Sequence, residues 1–443
     1  MRISTGMVYA QGIGTIQKQQ ADVLKTQQQV STGRRILAPS DDPVSSSSVL
    51  ELTQYMNVNE QNGSNANVAM SKLQMEETAL TDVGNLIQDV KNLAVNAGNG
   101  ALSASDRTML ATELQNRYQA LLGLSNATDE NGQYMFSGYM GGTAPFSETT
   151  PGNVVYNGDQ GQRGARIGAR RQVAVSDSGA DVFQRIKNGN GVFVTAATKA
   201  NATSGTVDNT GSGVISPGNV LDKAKWNDPT NNKDFTVIFD VSNTIPAVTT
   251  YDIIDNVAGI SLLTGVGPTG VGPYPRTYST GGAISLKTVA PPDTNPVPFD
   301  FGAEFDIAGA PATGDTFTVK ASTNEDVFKT LSNLLDVLTK PPSVAVPTAL
   351  QNGLNTAMSN LDNALDNILT VRASIGARMK EVDSMQGTRA DLTIQFQATI
   401  SRLQDVDYAE SISNLTLQQT HLEAAQKSFV STQSLTLFNY INR

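Results

Sequence analysis

The sequence predicts a mainly α-helical chain interrupted by a β-rich insert, and three observations predict it. None of the 18 prolines falls between Pro43 and Pro145 or beyond Pro347, which leaves two long stretches where nothing breaks a helix. In both stretches apolar residues recur every seven positions, the spacing of a coiled-coil seam. Residues 184–313, by contrast, hold 11 of the prolines together with Trp226, Phe235, Phe239, Tyr251, Tyr274, Tyr278, Phe299, Phe301 and Phe305, a strand-and-turn composition. The order is helices, sheet, helices.

The N-terminal arm carries an apolar stripe, Ile13, Ile16, Val23 and Val30. Next comes Pro39-Ser-Asp41-Asp42-Pro43. Here Asp42 is placed to cap a helix, and Pro43 sits at the first helical position, where its missing N–H costs nothing. That helix can run to Gly98, with a seam of Leu73, Leu80, Ile87 and Ala94 and offset positions Val83, Val90 and Ala97. A second helix from about Asp106 puts Leu110, Leu114, Tyr118 and Leu121 on one face and ends before Gly132, completing a helical hairpin. In the insert, Phe235-Thr-Val237-Ile-Phe239 and, just beyond it, Phe317-Thr-Val319 alternate as half-buried strands do. The second helical stretch keeps a seven-residue period through Leu354, Leu361, Ile368, Ile375 and Val382. The period breaks at Arg389 and resumes in phase at Phe396 and Leu403. One helix over 347–404 is roughly 85 Å long, so an elongated molecule is expected. A last stripe, Tyr408, Leu415, Leu422 and Phe429 with Ile412 and Leu435, closes the sequence.

Neither terminal stripe can bury its face alone. Residues 1–35 carry a net charge of +4 and residues 405–443 a net charge of −2, so the arms are expected to pair. Pairing leaves Leu417, Phe438 and Ile441 on other faces. Two readings remain open at this point: a monomeric bundle that uses these residues as core, and repeated contact between copies that builds a ring or tube.

Composition excludes much chemistry. There is no cysteine and a single histidine, His421, so thiolate metal sites, cysteine nucleophiles and histidine-based triads are not expected. A net charge of −10 without a basic cluster argues against nucleic acid, and no apolar run suits a Sec signal or a membrane span. Gly265-Val-Gly267-Pro-Thr-Gly270 has the spacing of a dinucleotide loop, but Pro268, Pro273 and Pro275 forbid the helix that must follow, which makes it a turn-rich loop. Asp129-Glu-Asn131-Gly132 lacks the closing acid of a calcium loop and reads as a turn after a helix. His421 reads as a polar helix residue, and the aromatics of the insert as sandwich core. No catalytic residue, cofactor or metal is expected.

Two signatures carry a family resemblance. Ser31-Thr-Gly33-Arg-Arg35-Ile36 followed by Pro39 to Pro43 resembles the N-terminal signature of the bacterial flagellins and their hook-associated relatives. Leu422-Glu-Ala-Ala425-Gln-Lys-Ser428-Phe429, with Leu437-Phe438-Asn-Tyr440-Ile441, resembles the C-terminal one. Gly132-Gln-Tyr134-Met-Phe136-Ser-Gly138, Pro145-Phe146, Val155-Tyr156-Asn-Gly158-Asp159, Gly179-Ala-Asp181-Val-Phe183 and Gly314-Asp315-Thr-Phe317 are similar to segments of the hook-associated members. The resemblance covers residues 1–183 and 314–443.

It implies a flagellin-like, elongated helical bundle or coiled coil built from both termini. Residues 1–35 and 405–443 would form an inner tube domain, 36–183 and 314–404 a helical rod with a small β part, and 184–313 a β-rich outer domain. It implies a structural, non-enzymatic component of the flagellum outside the cell, placed as a ring between hook and filament. Export through the flagellar type III system would precede assembly. Implied partners are copies of itself, a neighbouring hook-associated protein on the hook side, flagellin or the filament cap distally, and a cytoplasmic export chaperone, with no nucleic acid and no membrane insertion. The expected assembly interface is Ile13, Ile16, Val23, Val30, Tyr408, Ile412, Leu415, Leu422, Phe429, Leu435 and Phe438, and the helix-capping motif is Pro39, Asp41, Asp42 and Pro43. A filament subunit is the second reading. A surface adhesin with a carbohydrate-binding insert, using Trp226 or Tyr274, is a third from another class.

Overall fold

A computed structural model of the chain describes residues 5–197, 200–202, 205–207, 209–267, 272–339 and 346–434. Its helices are α1 (Thr5–Thr32), α2 (Pro43–Ala97), α3 (Ala104–Ser125), the single turn α4 (Lys223–Trp226), α5 (Val327–Thr339), α6 (Val346–Gln404) and α7 (Tyr408–Ser434), with a π-helical turn over Ala180–Gln184. The architecture is the expected one, long helices at both ends and a β-rich middle. The chain forms two compact units. One contains α1, α7, the start of α2 to Asn67, the segment Arg166–Arg171 and α6 from Asp383; the other contains Val68–Ala165 and Gln172–Val382.

In the second unit α2 and α6 run antiparallel. Leu73, Leu80, Ile87 and Ala94 of α2, and Leu354, Leu361, Ile368, Ile375 and Val382 of α6, are all buried. Gly98 lies against Leu354, Lys91 pairs with Asp362, and Arg372 Nη2 reaches Glu77 Oε1 at 2.7 Å. The heptad therefore reports a true helix–helix seam. α3 starts at a capping box in which the Ser103 hydroxyl accepts from Asp106 N while the Asp106 carboxylate accepts from Ser103 N. It folds back beside α2 through Arg117–Asp89 at 3.2 Å and packs on α5, whose Phe328, Leu331, Leu334 and Leu338 are buried.

Four of the five segments similar to the hook-associated members meet in one aromatic knot in this unit, while Phe317 of the fifth lies in the core of the insert. The Phe146 ring meets Tyr156, Phe183 and Phe328 at 5.2–5.4 Å, and Phe136 meets Phe183 edge-on at 5.3 Å. The Tyr156 hydroxyl donates to the carbonyls of Phe136 and Asp159. Gly138 has φ +68°, and a Cβ there would come within 2.2 Å of Asp159 Oδ1, so glycine is required.

The insert is a pair of antiparallel sheets around one core. One sheet runs in the order Ile260–Ser261, Thr249–Asp255, Asp234–Val241, Thr316–Ala321, Phe193–Ala197, with Arg276–Thr277 beside Thr249–Asp255. The other runs Asn219–Val220, Asp300–Ala308, Ala283–Lys287, with Val214–Ile215 also on Asp300–Ala308. Phe235, Val237 and Phe239 point inward at alternate positions, opposite Val319 and Phe317. Trp226 is buried against Phe193 and Phe235. Strand Thr316–Ala321, although it follows residue 313, is a central strand of the insert's own sheet.

In the first unit the seam break at Arg389 has a steric explanation. A Cβ on Gly63 of α2 would come within 1.6 Å of Arg389 Nη1, so the guanidinium lies directly over a glycine. Next along the two helices Asn59 Nδ2 donates to Arg389 O and Thr393 Oγ1, and Tyr55 stacks on Phe396 with ring centroids 6.4 Å apart.

Candidate functional site: the paired terminal arms

The arms pair as α1 against α7, antiparallel. Tyr9 meets Phe429 edge-on at 5.9 Å, Gly12 leaves room for the Phe429 ring, and Thr26 Oγ1 donates to Gln418 Oε1 at 2.9 Å. The protected positions of α1 include Tyr9, Gly12, Ile16, Gln19, Val23, Thr26 and Val30, a heptad whose alternate members are glycine or polar. On α7 they are Ser411, Leu415, Gln418, Leu422, Ala425 and Phe429.

Ile16, Val23, Val30, Leu415, Leu422 and Phe429 thus lie in the seam, half-buried. Ile13, Tyr408 and Ile412 do not. They are 47%, 53% and 51% exposed, and Leu24, Leu417 and Val430 are exposed elsewhere on the arms. The apolar stripe read from sequence mixed the two faces, because the seam alternates Ile or Val with Gly, Gln and Thr, which an apolar count passes over. Leu435 and Phe438 lie outside the described residues. Among the described residues charge does not join the arms in the way their net charges suggested: Lys25 turns to Asp41 at 2.7 Å and Arg35 to Asp42 at 3.4 Å.

Where α1 and α6 end and α2 and α7 begin, the chain passes through one small junction. Gly33, at φ +72°, follows the last residue of α1 and accepts from Val406 N at 2.9 Å, with Tyr408 Oη at 3.0 Å from where its Cβ would stand. The backbones of Arg34 and Asp405 form an isolated antiparallel β-bridge, Arg35 N donates to Gln404 O at 2.7 Å, and Arg35 Nη2 donates to Leu403 O at 2.8 Å. Asp41 Oδ2 accepts from both Leu37 N and Ala38 N, folding the Pro39 turn. The Lys25 hydrogen bond, joined by those amides, holds the Asp41 carboxyl below its ordinary value. Asp42 Oδ1 accepts from Ser45 N at 3.0 Å, which caps α2 with Pro43 as its first residue, and hydrogen bonding from the Ser45 side chain, followed by that N–H, lowers the Asp42 pKa. The two adjacent aspartates therefore do different work. Asp42→Ala should lower the thermal midpoint by a few degrees, and Asp42→Asn, which keeps the capping oxygen, should not; calorimetry of the three proteins checks this.

Other candidates are structural. Asp129 accepts from Asn131 N and Gln133 N and pairs with Lys72 at 3.0 Å, closing a turn in which Gly132 has φ +74°. His421 is exposed on α7. The Gly265–Gly270 loop lies partly outside the described residues. Among the described residues no group of three or more His, Cys, Asp or Glu is arranged to hold a metal, and no helix is long and apolar enough to cross a membrane.

Paired terminal helices joined through this junction define a class. The bacterial flagellin N-terminal helical region matches residues 3–140 and the bacterial flagellin C-terminal helical region residues 358–441, together half of the chain, and the chain belongs to the flagellin family. Within that family it is similar along its whole length to the flagellar hook-associated protein 3 of Salmonella typhimurium, 26% identical over 443 residues and covering 100% of each chain. Its fold matches the crystal structure of the flagellar junction protein FlgL from Legionella pneumophila with a TM-score of 0.67 and 29% identity, over 81% of this chain and 100% of that one. The phase 1 flagellin of Salmonella naestved is 31% identical over 122 residues, 28% of this chain and 24% of that one.

Proposed function

We propose that this chain is a structural subunit of the bacterial flagellum, seated at the junction between hook and filament. The observation that carries the proposal is the set of large apolar side chains that the paired terminal arms leave exposed. Pairing α1 with α7 uses one face, and Ile13, Tyr408, Ile412 and Leu417 remain exposed on the others. Copies stacked side by side would cover them, and a rotation that closes gives a ring. In this reading residues 1–35 and 405–443 line an inner tube, 36–183 and 314–404 form the surrounding rod, and 184–313 face outward. The hook side meets another hook-associated protein, and the distal side meets flagellin or the filament cap. Before assembly the chain is held by a cytoplasmic chaperone and exported through the flagellar type III channel. It performs no reaction.

Deleting the gene should leave cells that build hooks, lack filaments and release flagellin into the medium; normal filaments would refute the junction role. Ile412→Asp separates folding from assembly. An exposed substitution changes stability by about 0.5 kcal/mol or less, so the free protein should melt as the parent does, yet restore few or no filaments to the deletion strain. Swimming at the parental level with that variant would remove the exposed face from the interface.

Full-length similarity to a hook-associated protein, against a match to flagellin over 28% of the chain, favours the junction over the filament shaft. The adhesin reading loses its motivating residues, because Trp226 and Tyr274 are buried in the insert.

A further inference from the structure

The chain contains seven Asn-Gly pairs, and the fold treats one of them differently. An asparagine followed by glycine can react with itself: the glycine amide nitrogen attacks the side-chain carbonyl carbon, and no Cβ stands in the way. Folding suppresses the reaction wherever it occupies that nitrogen or ties the carboxamide elsewhere.

Six pairs are held in one of those two ways. Asn62-Gly63 and Asn352-Gly353 lie inside α2 and α6, where a glycine N–H bonds to the carbonyl one turn back. Gly189 N donates to Asn360 Oδ1 at 2.9 Å, and Asn188 Oδ1 accepts from Thr323 N at 2.9 Å. Gly191 N donates to Asn188 O at 3.2 Å, while Asn190 Nδ2 is tied to Gly218 O at 3.1 Å. In the turn after α3, Gly132 N donates to Asp129 O at 2.9 Å. Asn157 Nδ2 donates to Ser147 Oγ at 2.8 Å, and a Cβ on Gly158 would meet the Tyr156 ring at 2.6 Å, so that peptide is packed.

Asn99-Gly100 is the exception. The pair lies in the loop between α2 and α3, and both residues are exposed. Among the described residues the Gly100 N–H makes no hydrogen bond. The Asn99 side chain is folded forward along the chain: its Oδ1 accepts from Ala101 N at 3.1 Å, one residue past the Gly100 nitrogen. That bond closes a turn around the Gly100 peptide and keeps Asn99 Cγ near the nitrogen that would attack it. The Ala101 N–H also faces the oxygen on which negative charge develops as the new bond forms.

We propose that Asn99 is a site of self-modification by deamidation. Gly100 N gives up its proton and bonds to Asn99 Cγ. The Cγ–Nδ2 bond breaks, and the amide nitrogen takes up a proton and leaves as ammonia. Water then opens the resulting succinimide at either carbonyl, leaving aspartate or isoaspartate at 99. Each event adds one negative charge, and the isoaspartyl product lengthens the main chain of the α2–α3 loop by one atom.

Peptide mapping by mass spectrometry of the full-length protein, aged in mildly alkaline buffer, tests this. Asn99 should convert at least tenfold faster than any of the other six asparagines, and isoaspartate should appear at 99. Ageing in urea, where only sequence neighbours matter, should erase most of that lead. Gly100→Ala adds a methyl group that meets nothing within 4 Å, so the variant should melt as the parent does. Its conversion at 99 should fall at least tenfold. Another Asn-Gly pair that keeps pace with Asn99 in the folded protein, a lead that persists in urea, or parental conversion in Gly100→Ala would overturn the proposal.

Discussion

Arg378→Met is expected to cost the second unit about 3–5 kcal/mol, the usual penalty for removing one member of a buried ion pair. Arg378 pairs with the Asp177 carboxylate, and the two side chains are 13% and 11% exposed. The Arg378 guanidinium also donates to Ala174 O at 3.2 Å, while Asp177 Oδ1 accepts from Gln162 Nε2 at 2.8 Å. α6 thereby clasps the 174–178 segment. Methionine keeps much of the arginine stem but leaves the Asp177 charge without a counter-charge in a poorly solvated place. A loss of that size is a large part of the 5–15 kcal/mol typical of a whole domain. Urea unfolding monitored by exchange of amides in the 174–178 segment and the α2–α6 seam measures it. Adding Asp177→Asn to Arg378→Met should recover a substantial part, since the stranded charge is then gone. A loss below about 1 kcal/mol, the range of exposed pairs, would show the clasp to be solvated.

The second large effect is a dependence on pH set by Glu76. This residue falls between Leu73 and Leu80 in the α2 heptad, a core position, and is 1% exposed. Its Oε1 accepts from Asp177 N at 2.9 Å, and Oε2 is buried without a partner. Burial, followed by the nearby Asp177 carboxylate, pushes the Glu76 carboxyl up from 4.5 to about 8, against the opposing pull of the Asp177 N–H, Arg378 and Arg163. The folded chain thus keeps a proton that the unfolded chain has released. Between about pH 4.5 and 8 the unfolded state binds fewer protons, so this group's contribution is fully present below 4.5 and declines as pH rises through 8. The slope reaches about 1.4 kcal/mol per pH unit. Glu76→Gln cannot titrate and should remove that slope. Urea midpoints of the parent and Glu76→Gln at pH 5, 6.5 and 8 should diverge steadily, the variant gaining on the parent. Parallel curves would mean that Glu76 is ionised in the fold.

Much of the architecture was legible because helix seams leave a periodic trace. Leu73 to Ala94 and Leu354 to Val382 are buried as their spacing requires, and Pro43 and Pro347 lie at the starts of α2 and α6. Asp42 and Pro43 give the start of α2 for a stereochemical reason that acts locally. Less legible were features resting on residues that an apolar count ignores. Gly12, Gln19 and Thr26 belong to the α1 seam although none is hydrophobic. Glu76 occupies a core position, and its heptad phase was the available signal. α5 falls between the strand pattern of the insert and Pro341-Pro342, in a stretch the proline argument assigned to neither side. The mixing of Ile13, Tyr408 and Ile412 with true seam residues has the same origin: periodicity identifies a face, but not which neighbour covers it.

The hydrogen bond from Thr26 to Gln418 spans 392 positions of sequence. During synthesis α1 emerges first and its mate α7 only after the intervening domains, which can already be folding as units. No amount of early collapse can complete the arm. Each nascent chain therefore carries α1 as a solitary, marginally stable helix for most of its synthesis, and the tether between α1 and α7 forms only after translation has passed α7.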